Sequence, residues 1–161
     1  MTAQRGAAAL EQELSSRLGW YIKRAEQALM AEKTRVLRVH GLTVAQYSVL
    51  MTLHYVPESS AAQLSRACAV TPQTMATILG NLEQKGLISR EPSPMHLRVL
   101  STRITPAGAV IAGQADEAAK NVERKLGLNF SDTEIHLLKR LLDRAALHLH
   151  AQTETAGADQ T

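Results

Sequence analysis

The chain has 161 residues, which is enough for one domain with a single hydrophobic core. Hydrophobic residues make up 45% of it and aromatic residues 3%. This composition favours helices, because strands prefer β-branched and aromatic side chains. The net charge of +3 neither requires nor excludes a nucleic acid as partner. A membrane span is excluded, because no apolar run approaches the roughly 18 residues that it needs.

The amino-terminal segment and the cysteine content both favour the cytoplasm. Glu11 and Glu13 stand where a secretory signal would carry its apolar run. Cys68 is the single cysteine, so no disulfide can form within one chain, as is typical of a reducing compartment. We therefore expect a cytoplasmic protein with no membrane partner.

The first half of the chain has the pattern of four helices. Apolar residues at three-, four- and seven-residue spacings predict a long first helix over residues 10–39. Capping-box patterns at Thr43–Gln46 and Ser60–Gln63 open the second and third helices. Thr71 as the N-cap, with proline at the first helical position, opens a fourth helix that ends near Lys85.

Beyond Gly86 the apolar period changes from that of helices to that of strands. Leu87–Glu91 is short and extended, and Arg98–Ile104 alternates between apolar and polar side chains. The intervening residues 92–97 contain two prolines, which is a turn signal. These features predict a two-stranded hairpin.

The last third of the chain returns to helical patterns. Pro106 begins a fifth helix, and the capping-box pattern Ser131–Glu134 begins a sixth. Residues 151–161 are polar and are expected to form a disordered tail. No repeat or linker divides the chain into two independent domains.

Residues 60–85 have the helix-turn-helix arrangement. Only about three residues, Ala69–Thr71, join the third and fourth helices, and this length turns one helix across another. The second helix of such a pair can lie in the major groove of DNA, and the hairpin that follows would be a wing. Residues 60–105 also carry the whole net charge of the chain, as expected for a surface that contacts phosphates.

The motifs between residues 42 and 108 resemble the multiple-antibiotic-resistance regulator (MarR) family of winged-helix repressors. The matching pieces are LTVAQYSVL at 42–50, Leu64–Ser65, Gln73–Thr74, LEQKGLISR at 82–90 and ITPAG at 104–108. Their order and spacing make the resemblance specific, and it extends over residues 15–150. The fold class that it implies is mainly α, a winged helix-turn-helix with six helices plus a β-hairpin wing.

The resemblance implies a homodimer whose interface comes from the first and the last two helices, near residues 10–25 and 120–150. These helices hold more apolar surface than a small winged helix can cover, which independently favours a dimer. Two-fold symmetry would set two recognition helices roughly 34–36 Å apart on a pseudo-palindromic operator. The expected division is a dimerisation helix at 1–41, a DNA-binding region at 42–105, dimerisation helices at 106–150 and the tail at 151–161.

Ten residues are candidate contacts to double-stranded DNA. Gln73 on the fourth helix could pair with adenine, and threonines there could form hydrogen bonds or place a methyl group against thymine. The amides at the start of that helix could hold a phosphate. Arg98 matches the wing arginine of the family and is expected to reach the minor groove or a phosphate. The full set is Arg66, Thr71, Gln73, Thr74, Thr77, Asn81, Arg90, His96, Arg98 and Arg103.

The chain also departs from the family pattern. Members often carry arginine where Thr77 and Asn81 stand here, and aspartate in the wing where His96 stands. No lysine or arginine occurs between Arg66 and Lys85, so the recognition helix is nearly neutral. We therefore expect a modest salt dependence of DNA binding. The alternative is a winged-helix protein-interaction module with little sequence-specific DNA binding.

The resemblance further implies a small-molecule pocket lined by the first, second and fifth helices, which often takes aromatic acids or phenolic compounds. Arg24 could pair with a carboxylate, and His54 could donate a hydrogen bond to one. Tyr47 and Met51 could equally be ordinary core residues, and Trp20 could lie in the dimer seam. The candidate lining residues are Trp20, Tyr21, Arg24, Tyr47, Met51 and His54.

Other functions find little support in the residues. His148 and His150 point to different faces of one helix, so we expect no metal, and no other cofactor is implied. The chain has no glycine-rich phosphate loop, zinc-protease histidine pair or nucleophile motif, so we do not expect an enzyme. Cys68 lies far from the redox cysteine of the family, so a redox role is not expected. The sequence predicts a transcriptional regulator, expected to be a repressor that an effector releases from DNA.

Overall fold

The computed structural model describes residue 10, residues 12–92 and residues 100–158, with side chains as far as residue 149. Its described part is mainly helical and carries a small antiparallel sheet, which confirms the predicted fold class. The elements are α1 (Leu18–Arg38), α2 (Val44–Tyr55), β1 (Ser59–Ser60), α3 (Ala61–Ala67), α4 (Pro72–Gln84), β2 (Ile88–Pro92), β3 (Leu100–Ile104), α5 (Pro106–Gly127) and α6 (Asp132–Ala158).

The predicted first helix is interrupted near its beginning. Residues 12–15 are helical, but Arg17 is extended, with φ −101° and ψ 127°, and α1 begins at Leu18. The hydroxyls of Ser15 and Ser16 donate to the backbone carbonyls of Gln12 and Glu13. Serine side chains compete in this way with the helical ladder, so the prediction of one continuous helix was wrong at this point.

The helix-turn-helix begins where the sequence predicts it. The reciprocal capping boxes of Thr43–Gln46 and Ser60–Gln63 are both formed, and the Thr71 hydroxyl accepts the Thr74 backbone N–H at 3.1 Å. Between α3 and α4, Ala69 takes the left-handed conformation (φ 52°), and Val70 packs against the core. These contacts fix the path of the chain into α4.

The sheet has three strands rather than the predicted two. Its order is β1–β3–β2, and both pairings are antiparallel. Ser59 and Ser60 of β1 pair with Thr102 and Ser101 of β3. Ser101 is buried as a result, although the alternation of apolar and polar residues along β3 would place its side chain on the exposed face of a two-stranded hairpin. A two-residue strand of serines has no apolar alternation, and this is why sequence patterning missed it.

The core lies between α2, α3, α4 and the base of the sheet. Its fully buried side chains are almost all aliphatic, and they come from the inner face of each helix at helical spacing. The largest are Leu37, Val49, Leu50, Leu53, Leu64, Met75, Leu79 and Leu82. α4 therefore buries one side and presents the other to solvent.

The chain separates into two compact units, one ending at Val122 and one beginning at Glu123. The second contains the end of α5 and all of α6. Residues 151–158, predicted to be disordered, continue α6 as helix; alanine, glutamine and glutamate there are good helix formers and no proline interrupts them. None of the described helices combines the length and apolar character needed to cross a membrane.

Candidate nucleic-acid interface

α4 presents a polar, uncharged face to solvent. Met75, Ile78, Leu79 and Leu82 point inward and are buried. The residues predicted to contact DNA from this helix and its cap are all exposed; they are Thr71, Gln73, Thr74, Thr77 and Asn81. The structure thus brings these five residues to one solvent-facing surface, while their contact with DNA stays a prediction.

The threonine hydroxyls on this surface bond within the helix. Thr71 caps α4, and its hydroxyl lies 2.8 Å from that of Thr74. Thr77 donates its hydroxyl proton to the Gln73 backbone carbonyl at 3.2 Å. The capping role of Thr71 is therefore established, and a base contact by Thr71 would be additional to it.

Two of the predicted DNA-binding arginines are paired with carboxylates. Arg90 on β2 donates from Nε (3.0 Å) and Nη2 (2.5 Å) to one oxygen of Glu83 on α4, and this hydrogen bond holds the pKa of Glu83 below its ordinary value. Because Arg90 is half-buried, the pair mainly joins the recognition helix to the sheet.

Arg103 makes a second, more exposed ion pair with Glu58, with 2.5 Å between Nη2 and Oε1. About half of each side chain is open to solvent. Glu58 directly precedes β1 and has a left-handed backbone (φ 62°), a conformation that costs a non-glycine residue roughly 1–2 kcal/mol. Sequence analysis missed Glu58 because its pairing depends on the register of β1.

The remaining basic side chains of residues 60–105 differ in their exposure and in their hydrogen bonds. Arg66 lies exposed in the last turn of α3. Lys85, although part of the basic segment, donates to the Gly41 carbonyl at 2.7 Å and to Gln46 Oε1 at 3.1 Å. His96 and Arg98 lie outside the described residues. Among the described cations of this segment, Arg66 is thus the one for whose side chain we find neither a hydrogen bond nor an ion pair.

The residues predicted to line an effector pocket do not enclose a described cavity. The guanidinium of Arg24 lies 5.9 Å from the centre of the Trp20 ring, and Tyr21 is exposed beside them. Met51 is half-buried against the core, and His54 stacks edge-on with its neighbour in sequence. Two grooves found in the described residues are lined by other side chains, at 132–140 and at 34–46 with Lys85.

Tyr47 instead takes part in a polar cluster that sequence analysis missed. Its hydroxyl donates to Asp116 Oδ1 on α5 at 2.9 Å, and Lys120 Nζ lies 2.6 Å from Asp116 Oδ2. Burial alone would raise the pKa of Asp116, but the hydrogen bonds from Lys120 and Tyr47, with the charges of Lys120 and His54, outweigh it and lower that pKa. The cluster ties α2 to α5.

Asp116→Asn is expected to destabilise the protein by about 1 kcal/mol at neutral pH, because it removes the charge from these hydrogen bonds. Since the folded-state pKa of Asp116 is lowered, its contribution is present above the ordinary aspartate value of 3.8 and is lost as pH falls through the folded-state value. Urea unfolding of both proteins between pH 7 and pH 3 measures this. Glu117→Gln, the neighbouring exposed carboxylate, is the control, and an equal loss there would contradict the assignment.

Two other sequence expectations concern cysteine and metal. Cys68 is half-buried, with its sulfur 3.7 Å from the Thr52 hydroxyl. In the described part of the chain, no three His, Cys, Asp or Glu residues stand close enough to hold a metal ion.

A helix-turn-helix whose second helix is followed by an antiparallel hairpin, with a short strand completing the sheet, defines a winged-helix DNA-binding fold. The comparisons with known proteins show which family it resembles. A model of the MarR family matches residues 40–98. The HTH-type transcriptional repressor Rv2887 of Mycobacterium tuberculosis is 29% identical over 127 residues, 79% of this chain and 91% of that protein.

Solved structures agree with this assignment. The transcriptional repressor CouR, bound to a 23-mer DNA duplex, superposes with a TM-score of 0.77 at 26% identity, covering 83% of this chain and 95% of CouR. Rv2887 in complex with p-aminosalicylic acid gives 0.65 at 28% identity, covering 81% and 98%. The chain is thus similar to the MarR family in both sequence and fold, as its motifs predicted.

Proposed function

We propose that this protein is a transcriptional repressor that binds a pseudo-palindromic DNA operator as a homodimer and is released by a small molecule. The observation that carries the proposal is the outward face of α4, where Gln73 and Thr77 stand exposed in a fold that CouR uses in its complex with DNA. The wing, Arg66 and the amides at the start of α4 supply the phosphate contacts in this proposal.

Exposed apolar side chains support the homodimer. On α6, Leu138, Leu141, Leu142 and Leu149 are each more than two fifths exposed and follow one another at helical spacing. In the amino-terminal half of α1, Leu18 and two neighbouring apolar residues, Tyr21 and Ile22, are exposed as well. Apolar surface of this extent marks an interaction site, and a second copy of the chain is the occupant that DNA half-sites related by two-fold symmetry require.

Support for an effector comes from a relative and from α1. Rv2887 is described in complex with p-aminosalicylic acid, an aromatic acid. Arg24 carries a guanidinium beside the Trp20 ring, which is a suitable pair of groups for an aromatic carboxylate. We propose that Trp20, Tyr21, Arg24, Tyr47, Met51 and His54 contribute to the effector site, and that an aromatic acid weakens DNA binding.

An electrophoretic mobility shift of a DNA duplex taken from the region upstream of the gene tests the proposal. We expect binding that weakens as salt rises, and Arg98→Ala should weaken it at least about tenfold by removing a wing contact. Arg38→Ala, which removes the same charge from the exposed end of α1, outside the expected dimer interface, should leave the affinity unchanged. If the protein retains every duplex weakly and without sequence preference, the interaction-module alternative is correct; unchanged affinity of Arg98→Ala removes the wing from the proposal.

Glu58→Gln is expected to strengthen DNA binding about threefold to tenfold. The substitution releases Arg103 from its half-exposed ion pair, so that its guanidinium can pair with a phosphate and release a counterion. The slope of log affinity against log salt should steepen by up to about 1. Glu91→Gln, on β2, is the control, because it changes the net charge by the same amount without removing the Glu58–Arg103 ion pair. Equal effects of the two variants would show that only net charge matters.

A further inference from the structure

The exposed face of α4 lacks the groups that most often recognise guanine. Its sequence, PQTMATILGNLEQ, contains neither arginine nor lysine. Arginine and lysine bonded to guanine O6 and N7 are the commonest specific contacts in the major groove. Its one charged residue, Glu83, is paired with Arg90, so base recognition by this helix would use neutral side chains.

Thr77 has already used its hydroxyl proton within the helix. The proton goes to the Gln73 carbonyl, so Thr77 cannot donate to the acceptors of guanine unless that bond breaks. The hydroxyl oxygen can still accept a hydrogen bond, and the γ-methyl group is the apolar part of this exposed side chain that remains for contact. In the major groove, the matching apolar group is the 5-methyl of thymine.

Gln73 lies one helical turn before Thr77 on the same face. Its side chain is exposed, and none of the hydrogen bonds that we find among the described residues uses its amide. A side-chain amide offers one donor and one acceptor side by side, which matches N7 and N6 of adenine. The two neighbouring side chains thus both suit an A·T pair.

Gly80 continues this face one turn beyond Thr77. Glycine inside a helix is less stable than alanine, and nothing lies within 4 Å of the position of an added Cβ. Its φ is not positive either, so neither packing nor backbone conformation within the chain requires glycine here. A bare backbone at this point lets the helix lie closer to the floor of a groove.

We propose that α4 reads A·T pairs in each operator half-site, with the Gln73 amide on adenine and the Thr77 methyl against the 5-methyl of a neighbouring thymine. The inference rests on the proposed function and specifies the bases that the same surface recognises. It makes Thr77 a residue that determines operator specificity.

The test begins with selection of duplexes from a random-sequence pool by the full-length protein. We expect each half-site to contain fixed A·T pairs. Each conserved thymine is then replaced singly by deoxyuracil, which removes only the methyl group. At the contacted position, affinity should fall roughly threefold to tenfold. If the pool yields no preferred sequence, the proposed function fails, and this inference fails with it.

Two variants assign the methyl contact to Thr77. Thr77→Ser removes the methyl and keeps the hydroxyl, so it should bind the thymine and deoxyuracil operators equally. Thr77→Val keeps a methyl and removes the hydroxyl, so it should still prefer thymine. Because Thr77 is exposed, thermal melting should show both variants folded. A selected half-site without A·T pairs, indifference of the wild type to deoxyuracil, or full thymine preference in Thr77→Ser would overturn the inference while leaving the proposed function intact.

Gly80→Ala gives a further, separate measurement on the same surface. The substitution should raise the melting temperature, because alanine is the better helix former and the added methyl meets nothing in the protein. It should weaken binding to the selected operator at least threefold if α4 lies close against the bases. Higher stability with unchanged operator affinity would exclude that close approach.

Discussion

Gly108→Ala is expected to destabilise the protein by about 3 kcal/mol or more. A Cβ at this position would lie 2.0 Å from the backbone oxygen of Leu87 and 2.9 Å from Ile104 Cγ1. The Leu87 oxygen cannot retreat easily, because it accepts a hydrogen bond from the Thr105 amide at 3.0 Å. The methyl group must therefore push the start of α5 away from the end of α4.

Urea unfolding followed by circular dichroism measures the effect, and the same helix contains a matched control. Gly113 has nothing within 4 Å of an added Cβ, so Gly113→Ala should stabilise the protein by about 0.5–1 kcal/mol through helix propensity alone. The two alanine substitutions should thus move the midpoint in opposite directions. Stabilisation by both would mean that the contact with Leu87 is not close in solution.

Leu142→Asp is expected to dissociate the dimer and to weaken operator binding at least about 100-fold. Leu142 is 44% exposed within one chain, and it lies on the same face of α6 as Leu138 and Leu149. In a two-fold interface each substitution occurs twice, so two carboxylates would be buried without partners. Sedimentation velocity across a range of protein concentrations measures the dissociation.

Leu147→Asp is the control for this experiment. Leu147 is 70% exposed and lies on the opposite face of α6, so the same change of side chain should leave the dimer intact. If both variants remain dimeric, the α6 face is not the interface. If both dissociate, the effect comes from charge on the helix rather than from the apolar face.

Much of the fold was predictable because its determinants are local. Each capping box joins residues three apart, so Thr43 with Gln46, Ser60 with Gln63 and Ser131 with Glu134 could be recognised in the sequence and are formed in the structure. Gly86, beyond which the sequence pattern changes, follows α4 with a positive φ of 69°. The hydrogen bonds of Ser15 and Ser16 to nearby carbonyls explain the break before α1, which the spacing of apolar residues did not predict.

The candidate site was predictable only in part, because its remaining contacts join distant residues. The outward face of α4 followed from helical spacing. The Glu58–Arg103 pair depends on the register of a two-residue strand, and the Tyr47–Asp116 hydrogen bond joins residues 69 positions apart. A sequence shows that such side chains exist, but the packing of helices and strands decides which of them meet.

The junction around Gly108 has a mechanical consequence. Thr105 donates its hydroxyl proton to the Gly86 carbonyl at 2.7 Å and accepts the Gly108 amide at 3.0 Å, while its own amide is held by Leu87. Thr105 thereby links the residues that follow α4 to the first turn of α5 by three hydrogen bonds. Because these bonds join the start of α5 to the end of α4, we expect a tilt of α5 to change the orientation of the recognition helix as well.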